Sequence, residues 1–120
     1  IVYVSEKDES NENYLSLKGI EKSLKKARDP NGKPFKLIPL PMPRKIKDNN
    51  FYLPASYANF YIGNNAVLLP AFNDPNDKIA QNILQSCFPR KKIVPIDSRI
   101  LIKGLGGIHC ITQQQPMYTE

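Results

Sequence analysis

Apolar residues recur along the chain with two periods, and the alternation between them outlines the elements. Ile1-Val2-Tyr3-Val4 is a β-type run closed by a polar segment from Glu6 to Asn13. From Tyr14 onward Leu17, Ile20, Leu24 and Ala27 are spaced by threes and fours, which places them on one helix face, with Asn11 or Asn13 as N-cap. Asp29-Pro30-Asn31-Gly32 is a turn, and Phe35 to Leu40 a strand whose Pro39 limits pairing on one side. An irregular loop from Pro41 to Asn50 follows. Tyr57 to Ile62, then Gly63-Asn64-Asn65, then Ala66 to Pro70 is the pattern of a hairpin. In its first strand, period-two alternation puts Tyr57, Asn59 and Tyr61 on one face.

A second amphipathic helix begins at Asn73-Asp74-Pro75-Asn76-Asp77. Here Asp74 is the N-cap, Pro75 the first helical residue, and Asp77 stands three places after the cap. Ile79, Ala80, Ile83, Leu84 and Cys87 form its apolar face, so Cys87 is assigned a structural role. Lys92 to Asp97 is the next strand, and Ser98 to Lys103 leads into Gly104-Leu105-Gly106-Gly107. The chain repeats itself in this layout: Lys36-Leu37-Ile38-Pro39-Leu40 returns as Lys92-Ile93-Val94-Pro95-Ile96. Each copy follows a helix and precedes a strand with a polar centre, Asn59 in one and Cys110 in the other. Repetition of a helix–strand–loop–strand unit places those two residues at equivalent points around one cavity. Two units plus a leading strand seldom close a sheet, so the chain reads as part of something longer.

The glycine stretch carries the candidate chemistry. Glycines let backbone approach a ligand closely or take φ > 0, and Ile108 to Thr112 is a β-prone run with Cys110 at its centre. A thiol delivered there would be a nucleophile if its surroundings favour the thiolate. A lone cysteine between isoleucines is equally well read as a small buried hydrophobe, and residue types alone leave both readings open. His109 is the only histidine. In a strand its side chain would point away from Cys110, so no Cys–His pair can be completed within this chain.

Composition narrows the classes. The chain has 120 residues with 41% hydrophobic and 23% charged, which suits a single globular domain. No apolar run is long enough to span a membrane, and no signal-peptide pattern is visible, so a cytoplasmic location with both cysteines reduced is expected. A Cys87–Cys110 bridge is the minor alternative. The net charge of +6 is carried largely by Lys18, Lys22, Lys25, Lys26 and Arg28 on the polar faces of the first helix. Cations suit the C-terminal half of a helix, and no aromatic platform is interleaved with them. A solvated helix face is therefore preferred to a nucleic-acid surface. A non-catalytic basic binding module stays as the competing class.

Three stretches resemble the agmatine deiminases and the related bacterial-type peptidyl-arginine deiminases, in their C-terminal portion. They are Leu53-Pro54-Ala55-Ser56-Tyr57-Ala58-Asn59-Phe60-Tyr61-Ile62-Gly63-Asn64, Phe72-Asn73-Asp74-Pro75-Asn76-Asp77, and Gly104-Leu105-Gly106-Gly107-Ile108-His109-Cys110-Ile111-Thr112-Gln113-Gln114-Gln115-Pro116. The resemblance implies an α/β fold of the pentein type, a five-bladed α/β propeller. About two ββαβ-type units of it would be present, roughly residues 1–52 and 53–120 of a single deiminase domain. It implies Cys110 as nucleophile, Asn59, Gly106 and Gly107 lining the substrate site, and no metal or cofactor. The implied reaction is hydrolysis of a small cationic guanidine, agmatine first, with arginine or peptidyl-arginine as the alternative. The family's His-x-Asp motif and a further carboxylate lie upstream of its cysteine and are absent here, so the upstream remainder of the same protein is an expected partner and the fragment alone is expected to be inactive. Arg99 and Lys103 are the candidates for holding a substrate α-carboxylate, and a homo-oligomer is allowed.

Overall fold

The computed structural model describes residues 1–116. Seven strands and two helices follow in the order β1 (Val2–Val4), α1 (Tyr14–Lys26), β2 (Ile38–Leu40), β3 (Lys47–Asp48), β4 (Phe51–Tyr52), β5 (Tyr61–Ile62), β6 (Ala66–Ala71), α2 (Asn76–Cys87) and β7 (Lys92–Asp97). Two parallel strand–helix–strand crossovers give the chain its plan. In the first, β1 pairs with β2 in a register that sets Tyr3 opposite Pro39. In the second, β6 pairs with β7 and Leu69 lies opposite Pro95. The two copies of the proline-centred sequence are thus the returning strands of the two crossovers. Antiparallel β5 flanks β6, giving the sheet order β5–β6–β7, and β3 pairs with β4 as a separate ribbon.

The core is asymmetric. Val67, Leu69 and Ile93 from the three-stranded sheet pack with Ala80 and Leu84 of α2, and Leu40, Ala55, Tyr57, Phe72 and Ile102 complete the cluster. Helix α1 buries none of its residues; Leu17 and Leu24 are half-buried while Ile20 is exposed. Its polar side is stitched by Glu21, which accepts ion pairs from Lys18 at 3.2 Å and Lys25 at 2.6 Å. At its end the Arg28 guanidinium donates to the carbonyls of Lys25 and Ala27, where a cation opposes the helix dipole.

Local structure departs from the sequence expectation at six places. The loop expected over Pro41–Asn50 contains β3, and α2 begins at Asn76 with Pro75, not Asp74, at the cap position. The strand expected over 35–40 is paired only over Ile38–Leu40. Asn13 makes no side-chain cap at α1; instead the Asn11 side chain accepts the Asn13 N–H. Strand β5 is confined to Tyr61–Ile62, because the Ser56 hydroxyl and carbonyl accept the N–H groups of Ala58 and Asn59 and hold a turn there. Tyr57 consequently does not share a polar face with Asn59 and Tyr61: it is fully buried and donates its hydroxyl to Asp77 at 2.7 Å. Finally, the run around Cys110 is a single 3₁₀ turn, His109–Ile111, not a strand. Among the described residues no neighbouring strand is registered with it, and β-propensity depends on packing against such a neighbour.

Candidate active site

The peptide that carries Cys110 is anchored by buried side chains that precede it. After β7, Ser98 is fully buried, donating its N–H to Ala71 O and accepting the Ile102 N–H on its carbonyl. Ile102 then inserts into the core at 1% exposure. The chain reverses at Leu105, whose φ of 63° is left-handed. The glycines around it are therefore not the residues that supply positive φ. Ile108 is the second anchor, buried beside exposed His109 and Cys110. The 3₁₀ turn is closed by the Cys110 N–H on Gly107 O and by the Thr112 hydroxyl on His109 O.

What Gly106 and Gly107 provide is room. A Cβ at Gly107 would stand 2.6 Å from Cγ and Oδ1 of Asn59, closer than real side-chain carbons come. A Cβ at Gly106 would lie 3.1 Å from Cys110 Cβ and 3.5 Å from Sγ. The glycines admit Asn59 and the thiol into one space, and the four residues grouped by sequence are brought together.

Asn59 and Cys110 are 51 positions apart, yet Asn59 Nδ2 donates to Cys110 Sγ at 3.2 Å. The other end of the same amide accepts the His109 N–H at 2.7 Å. Hydrogen bonding from Asn59, and then from the backbone at Gly107, lowers the Cys110 thiol from its ordinary range against a smaller opposing effect of desolvation. Cys110 is exposed, which removes the reading of it as a buried hydrophobe. Cys87 is half-buried, and both thiols are free. The His109 ring leans toward Tyr61, 6.4 Å between centroids, and has no hydrogen bond to Cys110 among the described residues. Beside the turn lies a hollow of about 280 Å³ between Ala58, Phe60, Ile62, His109 and Gln114.

The two cations singled out in the sequence are committed elsewhere. Arg99 makes a forked contact with Asp97, with Nη2–Oδ2 at 2.6 Å, which holds the Asp97 carboxyl down at about 2. Lys103 pairs with Asp48 at 3.1 Å. Among the described residues no group of three or more His, Cys, Asp or Glu side chains is arranged to hold a metal ion. No helix among them is long and apolar enough to cross a membrane. A functional link missed by the sequence reading is the His109 main-chain N–H. Its partner is fixed by the fold, and no residue type advertises it.

The family model for the Porphyromonas-type peptidyl-arginine deiminases matches residues 1–116. The chain belongs to that family. Among its relatives, a protein of Streptomyces avermitilis named as a proposed agmatine deiminase is 39% identical over 93 residues, 78% of this chain and 27% of the relative. A solved structure of a proposed arginine deiminase from Porphyromonas gingivalis superposes with a TM-score of 0.93 at 43% identity, covering 96% of this chain and 34% of that one. Agmatine deiminase of Enterococcus faecalis superposes with a TM-score of 0.88 at 30% identity, over 96% of this chain and 36% of that one. The mixed α/β architecture is thus that of the deiminase structures, and the chain spans about a third of the length of these relatives.

Proposed function

We propose that this chain is the nucleophile-bearing portion of a pentein-type deiminase, which converts agmatine to N-carbamoylputrescine and ammonia. The observation that carries the reading is the exposed Cys110 held 3.2 Å from the Asn59 amide in a turn that two glycines keep clear. A guanidinium carbon is electrophilic but resonance-stabilised, so two covalent steps are easier than one direct hydrolysis. The Cys110 thiolate attacks that carbon, and the resulting tetrahedral adduct expels ammonia with a proton from a general acid. An S-alkylthiouronium remains. Water, deprotonated by the same group, adds to it, and the C–S bond breaks to release the ureido product and the thiolate. Asn59, Gly106 and Gly107 line the approach. The acid–base histidine and the carboxylates that grip the guanidinium belong to the upstream part of the protein.

Agmatine is favoured over free arginine because Arg99 and Lys103, the cations nearest the motif in sequence, are spent on Asp97 and Asp48. A substrate α-carboxylate therefore has neither of them as a partner. Peptidyl-arginine, the substrate in the family's own name, carries no α-carboxylate at an internal position and is the second reading. Both are cationic guanidines, and a cationic substrate beside Cys110 itself favours the thiolate. The test is Cys110→Ser in the complete protein, assayed for ammonia and ureido product. Turnover falls to background while agmatine binding, read by calorimetry, is kept within a few-fold. Retained turnover would remove Cys110 from the chemistry. Activity on peptidyl-arginine but not agmatine would transfer the assignment to the second substrate.

A further inference from the structure

Asn59 has two polar ends, and the structure uses both inside the protein. Its Oδ1 is taken by the His109 N–H at 2.7 Å, and this contact fixes which way the amide faces. Of the two ends of the amide only Oδ1 can accept an N–H, so the nitrogen end is the one directed at Cys110 Sγ, 3.2 Å away. A second main-chain contact, His109 N–H to Asn59 O at 3.3 Å, holds the two loops in register. The side chain is then boxed in from behind by Gly107, where any Cβ would collide with it. A substrate-binding asparagine would offer a polar atom to the ligand; this one is oriented by a neighbouring peptide and aimed at the sulfur.

We propose that Asn59 is the positioning residue of Cys110: latched by the His109 peptide and seated against Gly107, its amide nitrogen aims and supports the sulfur instead of binding the substrate. This rests on the deiminase reading for its catalytic consequence but not for its geometry. The same donor faces sulfur twice in the proposed reaction, as the attacking thiolate and as the thiolate expelled when the thiouronium hydrolyses. A hydrogen bond to the anionic form favours that form at both moments. Gly107 is on this view a requirement of the Asn59 side chain, and only through it of the chemistry.

The experiment follows the thiol without needing turnover. The complete protein is alkylated with iodoacetamide across a pH series, and the Cys110 peptide is quantified by mass spectrometry, with the Cys87 peptide as internal reference. Asn59→Ala should move the Cys110 midpoint upward, so that alkylation near neutral pH slows about tenfold. Asn59→Asp keeps size and the acceptor for the His109 N–H but turns a negative charge on the sulfur. It should move the midpoint up further still. Gly107→Ala should shift it as Asn59→Ala does, and the double variant should shift no more than either single one, since both act through one contact. For agmatine, Asn59→Ala should lower kcat at least tenfold and leave KM within about twofold.

Midpoints unmoved in both Asn59 variants would overturn the proposal. So would an Asn59→Asp profile like wild type beside a shifted Asn59→Ala, which would reduce the residue to a backbone latch. Additive shifts in the double variant, or a raised KM with kcat intact, would overturn it too. If the thiol profile shifts as expected while the complete wild-type protein turns over no guanidine, the positioning role stands and the deiminase reading falls.

Discussion

Gly106 faces the thiol, and its contact differs in kind from that of Gly107, which faces Asn59. A methyl group there would stand 3.1 Å from Cys110 Cβ, a gap that a shift of a few tenths of an ångström relieves. Gly106→Ala should therefore fold normally but displace the thiol. A misplacement of about 1 Å at a reacting atom can cost about a hundredfold in rate, so a shift of a few tenths is expected to lower kcat by up to about tenfold. The measurement is ammonia release by the complete enzyme beside its unfolding midpoint in urea. A tenfold loss with an unmoved midpoint fits the crowding argument; full activity would place the thiol elsewhere during catalysis. At this scale the sequence was informative in pairing Asn59 with Cys110, although neither residue lies in the strand expected of it. The turn holding Cys110 was not legible. Ile108, Ile111 and Thr112 carry β-propensity, whereas the bonds that decide the shape run from main-chain N–H groups to carbonyls three residues back.

The start of α2 is the element on which most of the scaffold converges. Asp74 accepts the Asn76 N–H and Asp77 returns a bond to the Asp74 N–H, the reciprocal cap that the spacing of the two aspartates implied. Asp77 does more. Its carboxylate also accepts the Phe72 N–H and the hydroxyl of buried Tyr57. One side chain thereby joins the end of β6, the helix start and the loop that carries Asn59. The cap is local and could be read from four residues, but the tyrosine contact spans 20 positions and depends on the tertiary packing. Tyr57→Phe removes one hydrogen bond to a charged acceptor and should cost about 1.5 kcal/mol. Asp77→Ala loses the cap and leaves a buried hydroxyl and a peptide N–H without acceptors, so about 3 kcal/mol is expected. Urea denaturation of the complete protein checks the order: both midpoints fall with m unchanged, Asp77→Ala further. Equal losses would mean that the cap and the Phe72 contact contribute nothing beyond the tyrosine.

Across the whole molecule the two crossovers are unequally finished. The second has a sheet, a helix with buried Ala80 and Leu84, and most of the core; the first has two short strands and a helix with no buried residue. The spacing of Leu17, Ile20 and Leu24 correctly marked a helix, but periodicity says which face is apolar and not what covers it. The candidate site is similarly one-sided. Among the described residues none of the influences on the Cys110 thiol comes from a charged side chain, and the single histidine leans toward Tyr61. A thiol can be aimed by an amide, but attack on a guanidinium also needs an acid for departing ammonia, a base for water, and carboxylates for the cation. On the deiminase reading those groups are expected from the upstream part of the protein. This chain by itself should accordingly release no ammonia from agmatine, while the complete protein does so and loses the activity on Cys110→Ser. The assay is run on both at matched concentration. Turnover by residues 1–120 alone, abolished by Cys110→Ser, would show that the described half-site suffices and that a group within it, His109 foremost, moves the proton.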